Sequence, residues 1–115
     1  REGRIAESRS QLRQEALRLQ SIVNHVKMEV HDAMAGVIAA KDQVHMAQVG
    51  MRAASKELDL ARESYTVITA SSHFELTNGL TAVARARENL VEALFQMNAA
   101  RVNLASATGS LNALE

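Results

Sequence analysis

The sequence predicts an all-α protein built as one long antiparallel two-helix coiled-coil hairpin. Of its 115 residues none is proline, only five are glycine and 20 are alanine, a composition that favours helix throughout. Apolar residues recur with alternating spacings of four and three, which is the repeat of a coiled-coil seam. All-β and doubly wound α/β folds are therefore excluded, and residues 1–115 are expected to form a single hairpin.

The first predicted helix covers about residues 4–69. Its four-three repeat runs without a miss over the seam positions Leu12, Ala16, Leu19, Val23, Val26, Val30, Ala33, Val37, Ala40, Val44, Ala47, Met51, Ala54, Leu58, Ala61, Tyr65 and Ile68. A strict seven-residue repeat over this length predicts a left-handed coiled-coil seam along one continuous helix.

The second predicted helix covers about residues 73–112 and follows a turn at residues 69–73. Its repeat covers the seam positions Gly79, Val83, Ala86, Leu90, Ala93, Met97, Ala100, Leu104, Ala107, Leu111 and Leu114. Ser72 followed by Glu75 fits a capping box, in which the serine hydroxyl accepts from the amide three residues on and the glutamate carboxylate accepts from the serine amide. This motif predicts that the helix starts at His73.

Laid antiparallel, the two seams can be paired so that each large side chain faces a small one. The predicted pairs are Tyr65 with Gly79, Ala61 with Val83, Leu58 with Ala86, Ala54 with Leu90, Met51 with Ala93, Ala47 with Met97, Val44 with Ala100, Ala40 with Leu104, Val37 with Ala107 and Ala33 with Leu111. Such alternation fills the space between two close backbones. The residues expected to carry the seam packing are Ala40, Ala47, Met51, Leu58, Ala86, Leu90, Ala93, Met97 and Leu104.

In this pairing residues 1–29 are left as an overhang without an antiparallel partner, although Leu12, Leu19 and Val23 continue the seam. Each exposed aliphatic side chain forgoes about 1.5–3 kcal/mol of burial. Both helices also carry apolar residues outside the seam, and a helix that is apolar on two faces packs between two neighbours. We therefore expect self-association. Because the chain starts at Arg1 without an initiator methionine, we also expect a fragment of a larger protein.

Charge and side-chain chemistry argue against several classes of function. Thirteen Lys and Arg balance thirteen Asp and Glu, whereas nucleic-acid binding requires clustered cations. There is no cysteine, and the four histidines are not spaced to share a helix face, so no metal site is expected. Nothing in the motifs points to catalytic residues, an enzyme or a cofactor. No uncharged run is long enough to span a membrane, so this segment is not expected to cross one.

The turn is the region with the greatest polar and aromatic variety. Between Tyr65 and Gly79 the chain holds its only tyrosine, one phenylalanine, one histidine, three threonines and two serines. A tyrosine at a seam position needs a partner for its hydroxyl group. A polar end on a long helix pair is suited to docking or gating, and ordinary solvated turn chemistry is the alternative interpretation.

Several segments follow one another in a specific order: Val26-Lys27-Met28-Glu29-Val30-His31-Asp32-Ala33, then Leu58-Asp59-Leu60-Ala61-Arg62-Glu63-Ser64-Tyr65, Glu75-Leu76, Ala86-Arg87-Glu88-Asn89-Leu90 and Ala107-Thr108-Gly109-Ser110-Leu111. This order resembles the second repeat of the TolC-like outer-membrane efflux proteins. There, a long helix with a Val-x-x-Glu-Val-x-x-Ala segment leads to a Tyr-x-x-Gly turn, and a shorter Leu/Ala-rich helix ends in Ala-x-Gly-x-Leu. The resemblance covers almost the whole chain.

The resemblance implies a trimeric transport channel, with a β-barrel in the outer membrane and an α-helical barrel across the periplasm, used for efflux or type I secretion. This chain would be a periplasmic helical hairpin of such a Gram-negative outer membrane factor, which works with a periplasmic adaptor and an inner-membrane pump. Native self-association would then be the homotrimer of the parent channel, whereas the isolated fragment would form a non-native dimer.

The resemblance also assigns the residues that dock the adaptor or gate the pore: Tyr65, Ile68, Ala70, Ser72, Glu75 and Asn78. Ile68 stands where the family usually has glycine. The charged gate of some members is represented at most by Glu75, with Ala70 and Asn78 at about the other positions. Two alternatives remain open. One is the hairpin of a periplasmic membrane-fusion adaptor, whose tip pattern has Leu four residues after Arg and Ser seven residues further on. Here Arg62 is followed four residues later by Thr66, so this pattern is missing. The other alternative is a generic structural coiled-coil scaffold.

Overall fold

Two long helices make up the described part of the chain. The computed structural model describes residues 1–65 and 70–114, with residues 70–72 and 114 described by their backbone alone. Helix α1 spans Glu2–Ser64 and helix α2 spans Ala70–Leu114. The predicted all-α class and helical hairpin are confirmed, and the described residues contain no strand.

Helix α1 ends earlier than the sequence predicts. Its last residue is Ser64, where the repeat predicted an end near residue 69. The Tyr65 N–H donates to the carbonyl oxygens of Ala61 and Arg62 at 3.0 and 3.2 Å, which closes the last turn. Residues 70–73 of the predicted turn belong to helix α2, and residues 66–69 lie outside the described part.

Helix α2 begins earlier than predicted as well. It starts at Ala70 rather than His73, so Ser72 lies inside the first turn and the prediction that it is the N-cap is wrong. A capping serine contributes about 1 kcal/mol, which is small beside the packing of a long helix pair. The local signal therefore does not decide where the helix starts.

The helices contribute to two compact units, the turn unit of Gly36–Ala100 and the terminal unit of Arg1–Ala35 with Arg101–Glu115. The hydrophobic core of the turn unit consists of Ala54, Leu58, Val83 and Ala86, with Met51, Leu76 and Ala82 packed against it. Among the described residues no side chain is completely buried. Small residues thus provide much of the core, since a seam between two helices offers little depth.

The two helices of the turn unit run antiparallel. Ala47 and Ala93 line one groove between them, Ala54 and Ala86 share the core cluster with Leu58 and Val83, and Ala61 and Gly79 line a second groove. Residue numbers therefore rise on one helix as they fall on the other.

The predicted pairing of Tyr65 with Gly79 is wrong. A Cβ atom placed on Gly79 would lie 3.2 Å from Cδ1 and 3.4 Å from Cα of Leu58, one heptad along α1 from Tyr65. The observed register at Gly79 thus differs from the predicted one by about one heptad, and a small residue still lies against a large one. A shift of one heptad preserves the alternation of large and small seam residues, so the alternation alone does not distinguish the two registers.

The terminal unit also has small residues at the contact between its helices. Ala33 and Ala107 are both buried and line one groove between the helices. Val26 is only 9% exposed, so packing reaches further toward the start of α1 than an overhang of residues 1–29 implies. Residues 1–22 are exposed throughout, and the apolar seam of α1 is uncovered there.

The replacement Gly50→Ala is expected to stabilise the chain, because a Cβ atom there would meet nothing within 4 Å and alanine exceeds glycine in helix propensity by about 1 kcal/mol. Gly79→Ala is the matched comparison, since its new methyl group would press on Leu58 at 3.2 Å. The stabilisation by Gly79→Ala should be smaller than that by Gly50→Ala, or the change should be destabilising. Urea unfolding followed by circular dichroism measures both free energies, and equal stabilisation by the two changes would contradict the close approach at Gly79.

Candidate functional site

A polar groove next to the ends of the two helices is the candidate functional site. This turn groove is lined by Glu57, Leu60, Ala61, Ser64, Glu75, Asn78, Gly79 and Ala82. Ala61 and Gly79 are buried and form its floor, whereas the polar side chains are exposed and form its rim. Because the two floor residues are among the smallest, little side-chain volume fills the space between the rims.

The rim of the turn groove is rich in hydrogen-bond acceptors. Glu57 on α1 and Glu75 on α2 contribute carboxylates, and Asn78 contributes an amide. The Ser64 hydroxyl donates to the carbonyl oxygen of Leu60 at 3.1 Å, so its own donor is already engaged within the helix. A groove with this chemistry suits a partner that presents N–H donors, such as arginine or lysine side chains.

An aromatic surface lies at the same end of the hairpin. The ring centroids of Tyr65 and His73 are 6.3 Å apart and the ring planes are inclined by 43°, which is within the range of favourable aromatic pairs. Tyr65 is half-buried and His73 is exposed. Phe74 follows directly and is largely exposed. The end of the hairpin therefore combines acidic, polar and aromatic groups.

The six predicted tip residues fall into three groups. Glu75 and Asn78 lie together on the rim of the turn groove, and Tyr65 lies beside it against His73. Ala70 and Ser72 lie in the first turn of α2, where only the backbone is described. Ile68 lies outside the described residues.

The predicted seam residues all lie buried or half-buried between the helices or along their contact: Ala40, Ala47, Met51, Leu58, Ala86, Leu90, Ala93, Met97 and Leu104. Their positions follow the predicted repeat, whereas their partners across the seam in the turn unit follow the shifted register.

Glu57 and Ser64 belong to the turn groove but were not predicted from sequence. Both lie on α1, and they join Glu75 and Asn78 on α2 only in the observed register. A signal was present in the spacing of Glu57, Ala61 and Ser64, because residues three and four apart share one side of a helix. Without the register, that side could not be matched to its counterpart on α2.

Apolar side chains outside the seam also remain exposed on both helices. These outer stripes consist of Val49 on α1 and of Leu80, Val91, Leu94, Phe95 and Val102 on α2, whereas the exposed Met46 and Leu60 line grooves between the helices. Phe95 is 69% exposed and Val91 is 66% exposed, and the two share a shallow apolar depression. An exposed apolar patch of this kind marks sites of protein association.

The titratable side chains do not form a reactive cluster in the described part of the chain. The His25 Nε2 atom lies 3.0 Å from the Glu29 carboxylate one helical turn away, and both side chains are well exposed. Within residues 1–65 and 70–114, no three His, Asp or Glu side chains are grouped to hold a metal ion.

No family model, curated protein or solved structure matches the chain. In the ranges that the structure describes, neither helix has a stretch long and apolar enough to cross a bilayer. Functional inference therefore depends on the surfaces of the hairpin itself.

Proposed function

We propose that this chain is a helical hairpin from the periplasmic tube of a TolC-like trimeric outer-membrane channel for efflux or type I secretion. The observation that carries the proposal is the apolar surface left outside the seam on both helices. A hairpin that buries one face of each helix internally and keeps a second apolar face has the side-chain pattern of a unit in a wall of helices.

The outer stripes support a neighbour on each side of the hairpin. On α2, Val91, Phe95 and Val102 are each at least 66% exposed. Covering such side chains with an adjacent helix contributes about 1.5–3 kcal/mol apiece. In a trimer the same surface would be buried between repeats and between subunits, which gives these residues a reason to be apolar.

The exposed start of α1 supports the same proposal. Leu12 is 70% exposed and Leu19 is 58% exposed, although both continue the seam of the helix. In the parent channel this part of the long helix would pair with a second short helix that is absent from this chain. The seam would then be covered over its whole length.

The turn groove is the proposed docking surface for the periplasmic adaptor, which connects the channel to the inner-membrane pump. Its carboxylates, Glu57 and Glu75, lie on different helices and line one groove, and the Tyr65 and His73 rings lie beside it. Charged acceptors around a small hydrophobic floor favour a partner loop that inserts a basic side chain.

The full-length parent protein provides the direct test. It is expected to fractionate with the outer membrane, to run as a trimer and to have amphipathic β-strands in the sequence on either side of the hairpin. Flanking lipoyl-like strands would instead identify a membrane-fusion adaptor. If the flanking sequence has neither type of strand and the protein shows no channel activity in planar bilayers, the remaining interpretation is a structural coiled-coil scaffold.

Combining Tyr65→Phe with Glu75→Gln in the full-length protein is expected to change pore conductance and drug resistance while the trimer persists. The double change removes a hydroxyl and a carboxylate from the end of the hairpin and leaves the seam intact. Glu7→Gln is the matched control, since it removes the same charge from an exposed position on α1 outside the turn groove. Conductance and resistance equal to those of the control, in a trimer with unchanged thermal stability, would contradict a docking or gating role.

A further inference from the structure

We propose that a second copy of this chain packs against the turn unit where α1 carries two exposed glycines. The surface that receives the second copy is the glycine column of α1, which consists of Gly36, Gln43 and Gly50. The surface that the second copy uses is the leucine column of α2, which consists of Leu80, Arg87 and Leu94. The inference depends on these two surfaces alone, and it holds whether or not the chain is part of a channel.

No contact within the described chain accounts for Gly36 and Gly50. Both lie in the interior of α1, where glycine is the least favourable residue after proline. Neither has a positive φ, so the backbone conformation does not require glycine. A Cβ atom at either position would meet no described atom within 4 Å, whereas a Cβ atom on Gly79 would lie 3.2 Å from Leu58. Close approach inside the hairpin explains Gly79, and close approach by a neighbouring molecule would explain the other two glycines.

The two glycines are placed to form a pair of hollows on one side of α1. They lie two heptads apart, so they share a side of the helix and are separated by about 21 Å along it. Gln43 lies midway between them and lines a groove between the helices. All three residues are exposed. This side of α1 therefore presents a hollow, a polar group and a second hollow.

The leucine column of α2 has the same period and the opposite shape. Leu80 and Leu94 also lie two heptads apart, with Arg87 midway between them. Leu80 is 49% exposed, Leu94 is 39% exposed and Arg87 is exposed. None of the three lines the turn groove or the groove of Gln43. This side of α2 therefore presents a large apolar group, a cation and a second large apolar group.

The two columns match in shape when they are laid side by side. Each leucine of one copy then enters the space beside a glycine of the other, and Arg87 lies beside Gln43. Both columns read the same in either direction, so the match holds whether the two helices run parallel or antiparallel. Filling a hollow with a side chain that is otherwise exposed removes apolar surface from water.

The columns also match in charge. Arg87 of the second copy would reach the groove of Gln43, whose lining includes the Asn89 amide and the Glu92 carboxylate. No lysine or arginine is among the described residues that line this groove. A guanidinium group donates several N–H bonds in a fixed plane, and amide and carboxylate oxygens accept them. The chain thus carries both halves of the contact, which identifies the occupant as a second copy.

The contact is heterologous, since it joins two different surfaces. Each copy that uses one column keeps the other column free, so further copies can add in a row. The contact is also small, and protein interfaces below about 1,200 Å² are weak. It therefore joins free copies only at concentrations far above the micromolar range, and it contributes more where another contact already holds the copies close together.

Disulfide exchange between two single-cysteine variants detects the contact, because the natural chain has no cysteine. Gln43→Cys is mixed with Arg87→Cys at about 1 mM in glutathione buffer, and both chains carry Leu12→Ser and Leu19→Ser so that the exposed seam does not contribute. These cysteines leave the leucines and glycines in place. The disulfide between the two different chains is expected to exceed the statistical mixture. Arg85→Cys in place of Arg87→Cys is the control, since it removes the same side chain from an exposed position on another side of α2.

Gly36→Ala combined with Gly50→Ala is expected to lower this excess by about tenfold or more, because two added methyl groups hold the helices apart. The same changes favour the helix, so loss of folding cannot account for the loss of contact, and circular dichroism verifies it. Gly109→Ala is the matched control, since its Cβ atom also meets nothing within 4 Å and it lies outside the glycine column. A statistical mixture with Arg87→Cys, an equal excess with Arg85→Cys, or an excess that survives both glycine changes would overturn the inference.

Discussion

The isolated chain is expected to self-associate, and Leu12→Ser combined with Leu19→Ser is expected to convert it to a monomer. Both leucines lie on the seam of α1 where the structure leaves it uncovered, at 70% and 58% exposure. Pairing two such segments from two copies would continue the established seam. Losing about 1.5–3 kcal/mol of burial per leucine weakens the dimer by more than about a hundredfold.

Sedimentation equilibrium over a range of micromolar concentrations measures this effect. Leu17→Ser is the matched control, because Leu17 is 66% exposed and lies on a different face of the same helix. It should leave the association constant nearly unchanged. A wild-type chain that remains a folded monomer throughout, or equal weakening by Leu17→Ser, would show that the exposed seam does not drive association.

Ala47→Leu and Ala93→Leu are each expected to destabilise the hairpin by about 1–3 kcal/mol through overpacking. The two alanines line the same groove between the helices, and Ala93 is buried and Ala47 half-buried, so leucine at either position adds volume at the helix contact. Because the two positions share this groove, the double variant should also show a coupling of about 0.5–3 kcal/mol beyond the sum of the single effects.

Urea unfolding in the monomeric Leu12→Ser, Leu19→Ser background separates this effect from changes in association. Ala99→Leu is the control, since Ala99 is exposed on the same helix as Ala93. A variant with leucine at an exposed helical position should unfold at nearly the wild-type urea concentration. Purely additive effects of Ala47→Leu and Ala93→Leu would show that the two positions do not share a packing site.

The positions of the seam could be predicted from sequence because they depend on local spacing. Val44, Leu58 and Val83, which follow the four-three repeat, are all buried. A helix has a fixed number of residues per turn, so the repeat determines which side of each helix is apolar. That information is sufficient for the fold class and for the faces that meet.

The register of the two helices could not be predicted from sequence, because more than one register brings the same apolar faces together. Moving Gly79 from Tyr65 to Leu58 is a shift of one heptad, which leaves the buried face of each helix the same. In both registers a large residue lies against a small one, so the layering in the sequence does not distinguish them. The partners of Glu57 and Glu75 in the turn groove were missed for the same reason, because they lie on different helices and only the register brings them together.

The position of Tyr65 gives the unlabelled chain an optical reporter. It is the only tyrosine and there is no tryptophan, so the intrinsic ultraviolet emission comes essentially from this one ring. The ring lies 6.3 Å from that of His73 at the end of α1. Emission lifetime and anisotropy therefore report on the hairpin end alone, while circular dichroism reports on both helices. Comparing the two signals during melting would show whether the end of the hairpin loosens before the seam separates.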